Sequence, residues 1–112
     1  MAARHGQLVQ ATMDYLTFLG HLPYYAPNRG VPVTRGGKVV WIRGKVSAGV
    51  PDVCAIHRDT GKHIGCEIKI GRDKLRPEQE RFRDGALKRG AIWIEVRDTT
   101  QVLIEAHRSG MI

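Results

Sequence analysis

A short run in the middle of the chain carries two charges inside an otherwise apolar pattern. Residues 64–70 read Ile-Gly-Cys-Glu-Ile-Lys-Ile, and this pattern predicts a β-strand. Because side chains alternate along a strand, Glu67 and Lys69 should lie on one face and their apolar neighbours on the other. The chain must therefore place two opposite charges on a strand that is otherwise suited to a hydrophobic core.

The surrounding segments predict one α/β domain, since 112 residues suffice for one compact domain and not for two. The predicted elements are a helix over 6–19, strands over 38–43, 53–57 and 64–70, a helix over 77–89, a strand over 91–96, and a last helix, capped by Asp98 or Thr99, that ends near His107. A turn at 58–61 makes the second and third strands a hairpin. The order α-β-β-β-α-β-α is typical of a mixed β-sheet flanked by helices.

The segment between the first helix and the first strand is rich in residues that interrupt regular structure. They are Pro23, Pro27, Asn28, Gly30 and Pro32. This density of breakers predicts an exposed loop with no regular element.

The charge balance favours a polyanionic partner. The chain has 18 lysines and arginines against 11 aspartates and glutamates, a formal net charge of +7. No acidic residue occurs between Asp14 and Asp52, an interval that contains Arg29, Arg35, Lys38, Arg43 and Lys45. Nucleic acid is the leading candidate, with this stretch as a phosphate-facing surface. A solvated basic loop that only maintains solubility is the alternative.

Other classes of protein are not favoured. The sequence has no apolar stretch of the roughly 18 residues that span a bilayer and no apolar signal-peptide core. We therefore expect a cytoplasmic protein, in the bacterial host cell if phage-encoded, with no membrane association and no small-molecule cofactor. Cys54 and Cys66 lie in apolar runs and should be free and buried. The scattered histidines do not predict structural zinc.

Asp52 adds a second carboxylate to the charged strand. It directly precedes the strand over 53–57, so its side chain approaches Glu67 if both face the same side of the hairpin. Two like charges about 4 Å apart repel by roughly 4 kcal/mol at an effective dielectric near 20. A cation between them relieves this repulsion, and hard ions such as Mg²⁺ or Mn²⁺ prefer carboxylate ligands.

Such a centre is suited to phosphodiester cleavage. A divalent ion stabilises the negative charge that grows on a phosphate, and Lys69 can orient or deprotonate the attacking water or neutralise the pentavalent intermediate. The sequence leaves these roles of Lys69 open. The alternative is an ordinary cross-strand ion pair between Glu67 and Lys69 at a sheet edge.

Four motifs resemble a known nuclease domain. They are Gly49-Val-Pro-Asp52, Gly65-Cys-Glu-Ile-Lys69, Arg76-Pro-Glu-Gln79 and Gly90-Ala91. In order and spacing they resemble the virus-type replication-repair nuclease domain, VRR-NUC, of the PD-(D/E)xK superfamily, in its small stand-alone phage and bacterial form. The resemblance covers nearly the whole chain and implies a restriction-endonuclease-like core with Mg²⁺- or Mn²⁺-dependent deoxyribonuclease activity.

The resemblance also implies residue roles. Asp52 and Glu67 would bind the metal with the main-chain carbonyl of Ile68, Lys69 would serve the water, and a glutamine on the following helix corresponds to Gln79.

Helical spacing independently supports the transfer of this role to Gln79. Gln79, Phe82 and Ala86 share one helical face, and Phe82 and Ala86 should pack on the sheet. A plain surface glutamine is the alternative.

The first helix departs from the family pattern, which commonly places a metal-binding glutamate there. Gln7 stands nearest to that place, Gln10 is a second candidate, and Asp14 is the helix's only carboxylate but lies too far along. A second metal ion therefore becomes doubtful. The difference implies weaker metal affinity, a preference for Mn²⁺, or a DNA-binding protein with little cleavage activity.

The basic residues Arg72, Lys74 and Arg76 follow the strand over 64–70. We expect them to contact backbone phosphates; the alternative is that they only keep the surface soluble.

Small members of the family are similar in architecture to Holliday-junction resolvases, which implies a homodimer. The segment 28–45 could line the DNA channel or join the partner. The leading function is a structure-selective endonuclease acting on branched DNA; a noncatalytic DNA-binding module and a sequence-specific restriction-type enzyme are the alternatives.

Overall fold

A computed structural model describes residues 2–25, 31–42 and 48–112. Within these ranges the elements are α1 Ala2–Phe18, β1 Leu22–Tyr25, β2 Val31–Arg35, β3 Lys38–Ile42, β4 Val53–Ile56, β5 His63–Lys69, α2 Pro77–Lys88, β6 Ile92–Arg97 and α3 Gln101–Arg108. The predicted helices and strands are all present, and α1 begins several residues earlier than expected.

The central sheet has four strands in the order β1-β4-β5-β6. β1 and β4 are antiparallel, as are β4 and β5, whereas β5 and β6 are parallel. A parallel pair needs a crossover connection, and α2 supplies it. The mixed sheet flanked by helices that the sequence predicts is therefore confirmed, and β5 is an interior strand.

One face of this sheet packs against α1 and α3 to form the core. The larger buried apolar side chains are Leu16, Val53, Ile64, Ile68, Val96 and Leu103. Because side chains alternate along β5, Glu67 and Lys69 leave this layer and face α2, where Gln79 contacts both of them. The predicted division of β5 into an apolar face and a charged face is present.

The prediction of an irregular loop between α1 and β3 is wrong. β1 joins the central sheet, and β2 pairs with β3 in a separate two-stranded sheet. Pro23 is compatible with β1 because that strand lies at the edge of the four-stranded sheet, where a missing N–H need not interrupt a ladder. Gly36 and Gly37 have φ angles of 57° and 77°, as a tight hairpin turn requires.

This hairpin changes the place of the predicted strand over 38–43. Its described part, β3, pairs with β2 and not with the central sheet. Of the breakers that suggested a loop, Pro27, Asn28 and Gly30 lie outside the described residues.

The start of α3 also differs in detail from the prediction. Thr100 occupies the N-cap position without a side-chain capping bond, although Oγ1 of Thr99 accepts a hydrogen bond from the Gln101 N–H at 3.3 Å. Asp98 has a φ of 62°, and its Oδ1 accepts a hydrogen bond from the Gly71 N–H at 2.8 Å. Asp98 therefore holds the segment after β5 instead of capping α3.

Cys54 and Cys66 are free and buried, as predicted. Among the helices in the described part of the chain, none has both the length and the apolar character needed to cross a membrane.

Gly49 brings the loop before β4 against the first turn of α2. Its φ is 81°, and an added Cβ atom would collide with the Glu78 carbonyl and lie 3.0 Å from the backbone nitrogen of Gln79. The glycine of the Gly49-Val-Pro-Asp52 motif therefore permits a close approach that sets Asp52 relative to α2.

We predict that Gly49→Ala lowers the free energy of unfolding by roughly 2 to 5 kcal/mol. A left-handed backbone costs an L-residue about 1 to 2 kcal/mol, and overpacking adds about 1 to 3 kcal/mol. Gly61→Ala is the matched control, because Gly61 has a φ of 72° and an added Cβ atom there would have no atom of the described residues within 4 Å. Urea unfolding followed by circular dichroism measures both variants, and equal losses would show that the contact with α2 imposes no constraint.

Candidate active site

The register of the central hairpin brings Asp52 opposite Glu67. The β4–β5 ladder ends at the pair Val53 and Cys66. The next residue on each strand, Asp52 and Glu67, therefore faces the other just beyond the end of the ladder. The two residues are thus adjacent where β4 gives way to the preceding loop, close enough for the charge of Asp52 to raise the pKa of Glu67.

Glu67 is almost fully buried, with 1% of its surface exposed. Its Oε1 accepts a hydrogen bond from Nε2 of Gln79 at 2.9 Å, while its Oε2 is buried and has no partner among the described residues. Burial, and then the nearby charge of Asp52, raise the pKa of Glu67 to about 8. A buried carboxylate oxygen without a partner indicates that a cation or a donor belongs beside it.

Gln79 connects Glu67 to Lys69 through its amide group. Nζ of Lys69 donates a hydrogen bond to Oε1 of Gln79 at 2.9 Å, and the same oxygen accepts one from the Arg76 N–H at 2.9 Å. The amide orientation is therefore determined, with its oxygen towards two donors and its NH₂ group towards Glu67. This bridge holds the ammonium and the carboxylate in one cluster.

This cluster differs from the alternative of an exposed ion pair at a sheet edge. Lys69 is 8% exposed, and β5 has β4 on one side and β6 on the other. Gln79 is likewise buried and not a plain surface residue. The structure thus brings together Asp52, Glu67, Lys69 and Gln79, the four residues that the sequence suggested as catalytic.

The first helix reaches the site through a residue that the sequence reasoning did not select. Nε2 of His5 lies 3.2 Å from Oδ2 of Asp52. His5 precedes Leu8 by three residues and Thr12 by seven, so it continues the buried stripe of α1 by one turn. Extending the predicted helix to its true start would have placed His5 on the buried face of α1, although not beside Asp52.

The first-helix residues favoured from the sequence lie elsewhere. Gln7 is exposed and lines a separate depression with Arg4, Ile70 and Asp98. Gln10 is also exposed, and its Nε2 donates a hydrogen bond to Asp14 at 2.8 Å. Neither glutamine contacts Asp52 or Glu67 among the hydrogen bonds of the described residues.

The backbone of β5 offers a further oxygen on the side of Asp52. The Asp98 N–H donates to the Lys69 carbonyl at 3.0 Å, so that carbonyl faces the β6 side. Carbonyl directions alternate along a strand. The Ile68 carbonyl therefore faces the β4 side, beyond the end of the β4–β5 ladder.

The residues at this position fit a hard divalent ion. Two carboxylates and a carbonyl are the oxygen ligands that Mg²⁺ and Mn²⁺ accept, and one of them is the Glu67 oxygen that lacks a partner within the described ranges. In the described part of the chain, His, Cys, Asp and Glu side chains form no group of three or more suited to a metal ion. The arrangement therefore matches Mg²⁺-type sites with one or two carboxylates and water or substrate oxygens, not an all-protein cage.

The basic residues after β5 lie on an anchored loop. Arg72, Lys74 and Arg76 are exposed. Arg97 holds the loop by donating from Nη1 to the Gly71 carbonyl at 2.6 Å and from Nη2 to the Asp73 carbonyl at 2.6 Å. No sequence pattern indicates this role of Arg97, because its partners are backbone atoms of a distant segment.

The other predicted DNA-binding residues belong to the segment of β2 and β3. Arg35 and Lys38 are exposed register partners that flank the Gly36-Gly37 turn. Arg43 and Lys45 lie outside the described residues, as does Arg29. The described part of the acid-free segment thus places two cations side by side at a hairpin tip.

The chain is similar to a solved structure described as "VRR_NUC domain", with a TM-score of 0.63 and 19% sequence identity over 94% of this chain and 95% of that chain. No protein-family model and no curated protein matches the sequence. At this level of identity the likeness shows a shared fold. The chain thus has the restriction-endonuclease-like α/β fold of a VRR_NUC domain, and the resemblance carried by the four motifs is confirmed at the level of the fold.

The raised pKa of Glu67 predicts a specific dependence of stability on pH. Between about pH 4.5 and about pH 8, the folded protein holds a proton on Glu67 that the unfolded chain has released. The stability of the metal-free protein therefore falls as the pH rises through this window, by up to about 1.4 kcal/mol per pH unit. Glu67→Gln cannot titrate and should lack this component.

Guanidinium unfolding of both proteins in EDTA, from pH 4 to pH 9, measures the difference. Glu105→Gln removes an exposed carboxylate of α3 and is the control. Parallel stability curves for the wild type and Glu67→Gln would contradict the prediction.

Proposed function

We propose that this chain is a metal-dependent deoxyribonuclease of the VRR-NUC type that cuts branched DNA, such as four-way junctions or flaps, as a structure-selective endonuclease in the cytoplasm. The observation that carries the proposal is a buried oxygen of Glu67 that has no partner among the described residues, on the residue opposite Asp52, with Lys69 held in the same cluster. A purely structural strand would gain nothing from this arrangement, because burying a carboxylate without full pairing destabilises the fold.

The proposed division of labour follows from the contacts. Asp52, Glu67 and the Ile68 carbonyl would hold Mg²⁺ or Mn²⁺, which supplies positive charge against the negative charge that develops on the scissile phosphate. Lys69 would orient or deprotonate the attacking water, or stabilise the same developing charge. Gln79 would position the Lys69 ammonium through its amide oxygen.

DNA binding is assigned to the exposed cations around this cluster. Arg72, Lys74 and Arg76 follow β5 directly, so phosphates next to the scissile one are their natural partners. Arg35 and Lys38 on the hairpin are a second candidate set. Contacts of this kind recognise the backbone and its shape, which agrees with selectivity for DNA structure in place of sequence.

A four-way junction is nearly symmetric and requires two cuts, so we propose a homodimer as the working unit. Light scattering of the free protein and of its junction complex tests this part of the proposal.

The second candidate function is a DNA-binding module that retains the nuclease fold without cleavage. It is favoured by one observation: none of the described contacts brings an acidic side chain of α1 to Asp52 or Glu67, where the family resemblance implies a glutamate. The two candidates differ in cleavage and not in binding.

We predict that Asp52→Ala and Lys69→Ala each reduce Mn²⁺-dependent nicking by at least roughly 100-fold while leaving DNA affinity largely intact. The matched controls are Asp59→Ala and Lys62→Ala, which alter exposed residues of the turn between β4 and β5. Labelled linear, nicked, flap and four-way substrates, each assayed with Mg²⁺ and with Mn²⁺, also identify the preferred structure. Binding by the wild type without any cutting would support the noncatalytic module.

Cutting of linear duplex at fixed sequences would instead support a restriction-type enzyme.

The affinity for DNA should depend steeply on salt. Neutralisation of about five phosphates per protomer gives a slope of roughly −4.5 in a plot of log affinity against log salt concentration. Replacing Arg72, Lys74 and Arg76 together by alanine should reduce the magnitude of this slope by about 2.7. The control replaces three exposed cations elsewhere, Lys62, Lys88 and Arg108; an equal effect of both triple variants would show that the loop after β5 has no special role.

A further inference from the structure

His5 lies on the solvent side of the candidate site and, unlike an ordinary surface histidine, contacts one of its carboxylates. It lies in the first turn of α1, and its Nε2 is 3.2 Å from Oδ2 of Asp52. The side chains of His5 and Asp52 are 40% and 24% exposed. The imidazole can therefore reach Asp52 from the solvent side, whereas Glu67 lies buried on the side of the sheet that faces α2.

The separation of these two atoms agrees with shared coordination. Two neighbouring ligand atoms on an octahedral ion, each about 2.1 Å from the metal, lie about 3 Å apart. A hydrogen bond alone gives a similar distance. Independently, Oε2 of Glu67, on the residue opposite Asp52, is buried without a partner in the described part of the chain, which indicates a cation at this position.

Resting on the metal-dependent function proposed above, we propose that His5 supplies an imidazole nitrogen to the divalent ion held at Asp52, and that this nitrogen makes the site prefer Mn²⁺ to Mg²⁺. Imidazole is a good ligand for first-row transition ions, whereas Mg²⁺ prefers oxygen and retains its waters. As the side chains stand in the described part of the chain, His5 contacts Asp52 and does not form a three-ligand group with Glu67. The half-buried imidazole would therefore join the ion by a side-chain rotation. The first helix thus contributes nitrogen where the family resemblance implies a carboxylate.

Metal binding to the purified protein without DNA tests this inference. Calorimetry gives the affinities for Mn²⁺ and Mg²⁺, and pulsed electron paramagnetic resonance of bound Mn²⁺ detects directly coordinated ¹⁴N. We expect a nitrogen coupling in the wild type that disappears in His5→Ala, with a loss of Mn²⁺ affinity on the order of tenfold and a change in Mg²⁺ affinity of less than about threefold.

The matched control is Gln7→Ala, which alters an exposed residue of the same helix turn that does not contact Asp52. It should retain both the affinity and the nitrogen coupling. His5→Gln keeps a hydrogen-bonding group near Asp52 but has no imidazole, so it separates ligation from positioning. Circular dichroism of each variant verifies that α1 remains folded.

The outcomes distinguish this inference from the proposed function. Mn²⁺ binding that requires Asp52 and Glu67, but shows no nitrogen coupling and is unchanged in His5→Ala, would overturn the role of His5 alone. Equal losses of Mn²⁺ and Mg²⁺ affinity in His5→Ala, restored by His5→Gln, would also overturn it, because they indicate a positioning role. No metal binding by the wild type would overturn the proposed function itself.

Discussion

Burial of the Glu67 carboxylate on an interior strand is the constraint on which the site depends. A charged group removed from water must be paired or must take up a proton, and burial together with Asp52 raises the pKa of Glu67 to about 8. Gln79 donates a hydrogen bond to only one of its two oxygens. The other oxygen is buried without a partner among the described residues, on the residue opposite Asp52, so a proton or a cation is needed to neutralise the carboxylate.

The mixed sheet explains why these groups meet where they do. β5 is paired with β4 only as far as Cys66, but it remains paired with β6 as far as Lys69. The last three residues of β5 are therefore hydrogen-bonded to β6 on one side and extend beyond the β4 ladder on the other. Asp52 and the Ile68 carbonyl face this opening, and the core residues on the opposite face of β5 keep the strand in register.

The sequence predicted the central hairpin, α2, the facing of Glu67 and Lys69, and the buried place of Gln79, because each depends on local periodicity or on the spacing of a motif. It failed for β1 and β2, where the proline content suggested a loop. Whether a strand tolerates proline depends on whether it lies at the edge of a sheet, and the position of a strand within a sheet cannot be read from its own sequence. It also missed His5, whose contact with Asp52 joins residues far apart in the chain. Such a contact depends on how α1 crosses the sheet, which local patterns do not specify.

Gln79 has two tasks at once, since its side-chain oxygen accepts the Arg76 N–H at the start of α2 and also the Lys69 ammonium. Gln79 lies in the first turn of α2, so one residue added or removed between Arg76 and Gln79 would move its amide by about 100° around the helix axis. The amide would then leave Lys69 even if every other side chain of the cluster were unchanged. Insertions and deletions should therefore accumulate at the β4–β5 turn during evolution and be rejected at the start of α2.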